Sequence, residues 1–203
     1  MSRGLGDVYK RQVLATAGAQ VISGLALGID VAAHQGAVLA GGTTFAVLAG
    51  GVDLCYPKQN FNTYVDIMRN GGVISEFPDN TLTRPGMFPL RNRIISGLCD
   101  AVIIVEAGMK SGSLITAAQA LEQNRQVYAV PGRIGDGNSE GCNHLIWQGA
   151  QIVCSYDDLL AELDLDISDS TKTSEKNILL ASDEKMLYSQ LLDFSCLLYT
   201  SPS

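Results

Sequence analysis

Paired cysteine and histidine are almost missing from this chain, which has five cysteines and two histidines in 203 residues and no CxxC pair. That leaves no metal-ligand spacing. The cysteines (Cys55, Cys99, Cys142, Cys154 and Cys196) read as reduced thiols of a cytoplasmic protein. Apolar residues make up 46% of the chain, yet no uninterrupted apolar run approaches the roughly 20 residues of a bilayer span. A soluble protein is expected. No basic stretch leading into an apolar core and a small-residue cleavage site opens the sequence, so it does not read as carrying a secretory leader. GxGxxG is lacking, and no GK followed by Ser or Thr closes a glycine-rich loop. Neither a dinucleotide site nor a P-loop is therefore supported. Internal repeats and low-complexity segments are also missing.

Positive charge is scarce as well, with 14 Lys and Arg against 21 Asp and Glu and a net charge of −7. The deficit is local. Residues 157–203 hold ten acids and three bases, whereas residues 1–156 carry eleven of each. A neutral domain of this kind lacks the broad basic face of a general duplex binder, but local arginines can still hold phosphates.

What the chain does have is a regular alternation. Apolar runs at AQVISG, TTFAVLAGG, GGVISEF, DAVIIVEAG, RQVYAVPG and AQIVCS alternate with helical patterns over 28–40, 61–70, 90–99, 113–124 and 141–149, and a last helix covers 156–163. Such alternation predicts right-handed crossovers and a Rossmann-like, doubly wound parallel sheet with helices on both faces. The domain is expected to span 13–163, followed by a polar linker over 164–176 and, from 177, the start of a small helical domain. Residues 1–12 (MSRGLGDVYKRQ) and the last nine (SCLLYTSPS) break the pattern. Both ends are expected to be non-native, with the natural protein continuing beyond each.

Candidate site residues fall where strands give way to helices. Residues 84–116 place Arg84, Phe88, Arg91, Asn92 and Arg93 around one helix start and Ser111, Gly112 and Ser113 at the next. In an open parallel sheet these starts face the ligand crevice at the carboxyl edge. At 100° per residue Arg91 shares a face with Ile94, Ile95 and Leu98 while Arg93 points away, which makes Arg91 the better ligand candidate. Phe88 is either a staple on the helix body or a stacking surface for a base. Ser113 can cap its helix while Ser111 and Gly112 form a phosphate cradle. Gly24, Gly28 and Asp30 lie on another such turn, either a plain tight turn or one approached closely by an anion. Glu76 and Glu106, read as ending adjacent strands, suit an acid–base pair or the orientation of arginines. His34 and His144 read as packing residues, and Cys142 lacks an activating partner.

Five blocks occur in order: SGLALGIDVAAHQGAV, TTFAVLAGGVDLCYPKQN, GGVISEFP, FPLRNRIISGLCDAVIIVEAGMKSGSLITAAQALEQNRQVYAVPGRIGD and GCNHLIWQGA. Together they resemble the DNA-processing protein A (DprA, also called Smf) family over about residues 13–163. The resemblance implies sequence-independent binding of single-stranded DNA by a cytoplasmic homodimer that loads the RecA recombinase during natural transformation, with no catalysis and no cofactor. It places the DNA pocket on Phe88, Arg91, Asn92 and Arg93, with Ser111, Gly112 and Ser113 opposite, Gly24, Gly28 and Asp30 on the neighbouring turn, and Met87 and Arg84 on the approach. Family members begin the sheet with a further strand ending in a GSR-type turn, which this sequence lacks, and many end in a winged-helix domain, of which only the start near Asn177 is present. The other reading is a nucleotide-processing phosphoribohydrolase of the lysine-decarboxylase-like group, but the nearest counterparts here of that group's PGGxGTxxE loop, PGRIGD and SGSLITAAQALE, have no acid at that distance.

Overall fold

The computed structural model describes residues 13–165. The expected leader (1–12), all but the first residues of the linker, the helical start at 177 and Cys196 lie outside the described residues. After a helical turn over 13–16, the chain runs β1 (Val21–Ser23), α1 (Ile29–Leu39), β2 (Thr44–Val47), a 3-10 turn (Lys58–Asn60), α2 (Phe61–Asn70), β3 (Gly71–Ile74) and α3 (Met87–Leu98). It continues through β4 (Ala101–Ile104), α4 (Gly112–Glu122), β5 (Gln126–Ala129), α5 (Glu140–Trp147), β6 (Gln151–Ile152) and α6 (Tyr156–Glu162). No helix among the described residues is long and apolar enough to cross a membrane.

All strand pairings among the described residues are parallel, as the alternation of elements predicts, and the fold is Rossmann-like α/β. The strands divide into two three-stranded sheets, ordered β1-β2-β3 and β4-β5-β6. No strand of the first sheet is hydrogen-bonded to a strand of the second among the described residues. Helix α3 packs on β1, β2 and α4 and carries the chain from β3 to the second sheet. The paired segments are shorter than the apolar runs. Leu48 N still donates to Ile74 O at 2.8 Å just past β2, and Leu48 and Ala49 stay buried in the turn that follows. Burial of a tight loop, rather than sheet pairing, accounts for those residues.

The cores follow from side-chain alternation along the strands. Val102 and Ile104 of β4 and Val127 and Ala129 of β5 face Ala117, Ala120, Cys142 and Leu145 from α4 and α5. The alternate residues Ala101, Ile103 and Tyr128 face Leu14, Val153 and Leu159. Both faces of the second sheet are thereby covered. In the first sheet, Ala46, Leu48 and Val73 pack with Leu25 and with Tyr64 and Ile67 of α2.

His34, on α1, is fully buried, as a packing residue should be. Its Nδ1 lies 2.7 Å from Thr44 Oγ1, and that hydroxyl spends its single proton on Val21 O at 2.8 Å. The histidine must therefore donate from Nδ1, which leaves Nε2 as a bare acceptor with no partner among the described residues. Burial, helped by Arg91 and opposed by Asp30, lowers its pKa from 6.5 to about 4. A group whose folded pKa is depressed stabilises nothing by protonation. The unfolded chain takes up the proton first, so stability is lost as pH falls from about 6.5 towards about 4, by up to about 3 kcal/mol. The urea midpoint of the wild type should therefore drop more steeply across that window than that of His34→Gln. Parallel pH profiles would show that the buried imidazole carries no such cost.

Candidate nucleic-acid interface

The turn after β1 is held from three sides. Gly24 N and Ala26 N both donate to Asp30 Oδ2, at 3.1 and 3.2 Å. Asn60 Nδ2 donates to Leu25 O at 2.8 Å, and Arg91 Nη1 donates to Gly24 O at 2.8 Å and also to Val47 O. Leu25, fully buried, has φ 56°. A left-handed leucine costs about 1–3 kcal/mol and persists only where the surroundings over-determine it, as these hydrogen bonds do. Gly28, exposed and at φ 91°, then starts α1. Asp30 is committed to backbone N–H groups and so shapes the turn.

Helix α3 begins at Met87, three residues before the expected start, and this changes the roles of two residues. Phe88 lies inside the first turn, so it cannot be the residue before the cap that a hydrophobic staple requires. Its half-buried ring sits 5.8 Å from Arg91 Cζ and 6.2 Å from the Tyr56 ring, tilted by 42°. Arg91 falls in the second turn. It does reach the sheet edge, as the helical periodicity predicts, but its side chain is not open to a ligand. At 4% exposure its guanidinium is spent on the carbonyls of Gly24 and Val47 and on Asn92 Oδ1, 3.1 Å from its Nε. The strand ends offer bare carbonyls there, and a long cation satisfies them better than solvent can in a buried turn. Burial lowers its pKa, against the pull of Asp30.

Arg93 points to the other side and is half-exposed. Its Nη2 donates to both carboxylate oxygens of Glu76, at 2.5 and 2.6 Å. Glu76 thus orients an arginine. It does not end a strand paired with the one before Glu106, because β3 pairs with β2 in the first sheet and β4 with β5 in the second. The two glutamates therefore do not end paired strands, as the sequence pattern had them do for an acid–base pair.

The two helix starts run side by side but not level. Gln119 Nε2 donates to Pro89 O, Gln123 Nε2 to Arg93 O and Arg125 Nη2 to Gly97 O. This ladder makes α3 and α4 parallel, with α4 beginning about five residues, ~8 Å, further out. Ser111, not Ser113, caps α4. Its Oγ accepts from Ser113 N at 3.4 Å and lies 2.7 Å from Ser113 Oγ. Gly112 is exposed, and a Cβ there would touch nothing, so internal packing does not demand a glycine. Arg84, also exposed, lines an open cavity of about 470 Å³ with Asn80, Thr81, Leu82 and Met87. The structure therefore gathers Gly24, Asp30, Phe88, Arg91 and Asn92 into one cluster. Arg93 is held apart by Glu76, and the serines are linked to the cluster only through the packing of α3 on α4.

Two members of this neighbourhood escape sequence reasoning. Asn60 precedes a strongly amphipathic helix and looks like its cap, but its side chain turns back to Leu25 O. Tyr56 lies in a loop whose sequence says little, and only the fold brings it to Phe88. Elsewhere, His144 stacks on Trp147 at 5.6 Å. The Cys142 thiol is fully buried and its pKa is raised by burial. No group of three or more His, Cys, Asp or Glu among the described residues is placed to hold a metal ion.

The family model for DNA recombination-mediator protein A matches residues 8–164. The chain belongs to that family. It is 49% identical over 144 residues to the DNA processing protein DprA of Streptococcus pneumoniae, covering 71% of this chain and 51% of that protein. It is 44% identical over 153 residues to the protein Smf of Escherichia coli, covering 75% and 41%. The chain thus spans about half the length of these relatives or less. Among solved structures, DNA processing protein A of Streptococcus pneumoniae matches with a TM-score of 0.72 at 44% identity, over 80% of this chain and 57% of that one. DNA processing protein A of Helicobacter pylori, whose structure gives insight into that protein's single-stranded DNA binding mode, matches with a TM-score of 0.73 at 30% identity, over 80% and 75%.

Proposed function

We propose that this chain binds single-stranded DNA, without reading its sequence and without chemistry on it, in the crevice where the Gly24 turn meets the start of α3. The observation that carries the reading is the half-buried Phe88 ring held against an exposed tyrosine on one side and a buried guanidinium on the other. A base can stack on such a ring whatever its identity. Exposed Arg84 is the available cation on the approach, and Arg93 joins it once a phosphate takes the place of the Glu76 carboxylate. Both groups of that pair are about half-exposed, and surface pairs of this kind are held by only about 0–1 kcal/mol. The N–H groups around Ser111, Gly112 and Ser113 add an anion seat at a helix start. Near-neutral charge over residues 1–156 fits a site of few contacts. Membership of a recombination-mediator family supports the wider role, in which a cytoplasmic homodimer protects strands entering during transformation and loads RecA on them.

The test is fluorescence anisotropy of labelled oligo-dT titrated with the wild type at several salt concentrations, with unlabelled single and double strands as competitors. Binding should weaken on a log–log salt plot with a slope of about −0.7 per phosphate contacted, and the single strand should compete better than the duplex. No binding by a folded protein, or a salt-independent affinity, would overturn the reading.

A further inference from the structure

The loop after β2 is more firmly fixed than its exposure suggests. Gly51 N donates to Thr81 O at 2.9 Å, and Leu54 N closes a turn on Gly51 O at 3.2 Å. Asp53 Oδ1 accepts from Asn80 N at 2.8 Å, and Tyr64 Oη donates from α2 to Val52 O at 2.6 Å. On this braced loop Tyr56 stands 52% exposed. Its hydroxyl has no partner among the described residues, so internal hydrogen bonding does not account for the ring's position. Its one aromatic neighbour among the described residues is Phe88, 6.2 Å away and tilted by 42°, so the two rings are not stacked face to face. A large aromatic carried on a braced loop and left half in water presents a stacking face at little entropic cost.

We infer that Tyr56 is a second base-stacking platform, so that adjacent bases of one single strand rest on Phe88 and on Tyr56. This rests on the single-strand reading above and adds to it a binding residue on a separate loop. Stacking is a property of the ring, so Tyr56→Phe should bind like the wild type, whereas Tyr56→Ala should weaken oligo-dT binding by roughly 5- to 100-fold. The discriminating probe is an abasic oligomer of the same length, which keeps the phosphates and has no bases to stack. All three proteins should bind it alike. Three outcomes would overturn the inference while wild-type binding to oligo-dT stands: Tyr56→Ala binding oligo-dT as tightly as the wild type, Tyr56→Ala losing equally on the abasic strand, or Tyr56→Phe failing like Tyr56→Ala. Failure of the wild type itself to bind oligo-dT would instead remove the single-strand reading, and this inference with it. Because Tyr56 is exposed, circular dichroism should be the same for all three.

Discussion

Replacing Arg91 with methionine should destabilise the domain by about 2–5 kcal/mol and weaken single-strand binding, yet leave the salt slope of that binding nearly unchanged. The first effect follows from the carbonyls of Gly24 and Val47, which would remain buried without a donor at about 1–3 kcal/mol each. Weaker binding follows because the turn carrying Leu25 in its left-handed conformation would lose one of its three supports. A residue gripping a phosphate directly would instead take about 0.7 off the slope when removed. Lysine should not rescue, since a point charge cannot span two carbonyls as the planar guanidinium does. Gly24→Ala provides an independent check, because a Cβ there would lie 2.5 Å from Cζ and both terminal nitrogens of Arg91. Both changes dislodge the same guanidinium, so the double variant should lose less than the sum of the singles. Urea unfolding reads the stability, and anisotropy at several salt concentrations reads the slope. A slope that falls by a full phosphate would return Arg91 to the role of ligand.

The same arginine shows how far the sequence reaches. Helical periodicity fixes the face of an element, and it correctly sends Arg91 to the sheet edge and Arg93 away from it. It does not say what waits at that edge. The partners of Arg91, the carbonyls of Gly24 and Val47, are 67 and 44 residues away in the chain, and main-chain carbonyls have no sequence signature. Helix α3 begins three residues before the apolar pattern predicts, since proline at 89 is tolerated in a first turn; that difference removes the staple role of Phe88. Alternation between apolar runs and amphipathic helices was enough for the fold, since parallel strands buried on both faces leave that pattern. Proximity across loops, as between Tyr56 and Phe88, depends on how two strand ends sit side by side. Apolar periodicity says nothing about that.

Phe88→Ala should lower affinity for oligo-dT by roughly 5- to 150-fold, the equivalent of about 1–3 kcal/mol for one stacked base. The ring's own packing contributes to that loss, since Phe88 is half-buried against Tyr56 and beside Arg91, so an aromatic replacement separates the two effects. The chain has a single tryptophan, Trp147, which is 81% exposed on α5. In a Trp147→Phe background, Phe88→Trp therefore places the only indole at the crevice. If bases stack there, this variant should keep near-wild-type affinity and its emission should be quenched as oligo-dT is added, in step with the anisotropy. An abasic strand should bind without the same quenching. Unaltered binding by Phe88→Ala would move the stacking surface away from the start of α3. Quenching that is equal on the abasic strand would mean the helix start senses phosphate and no base. The two readouts together test whether the first turn of α3 meets the nucleobase itself or only the backbone that carries it.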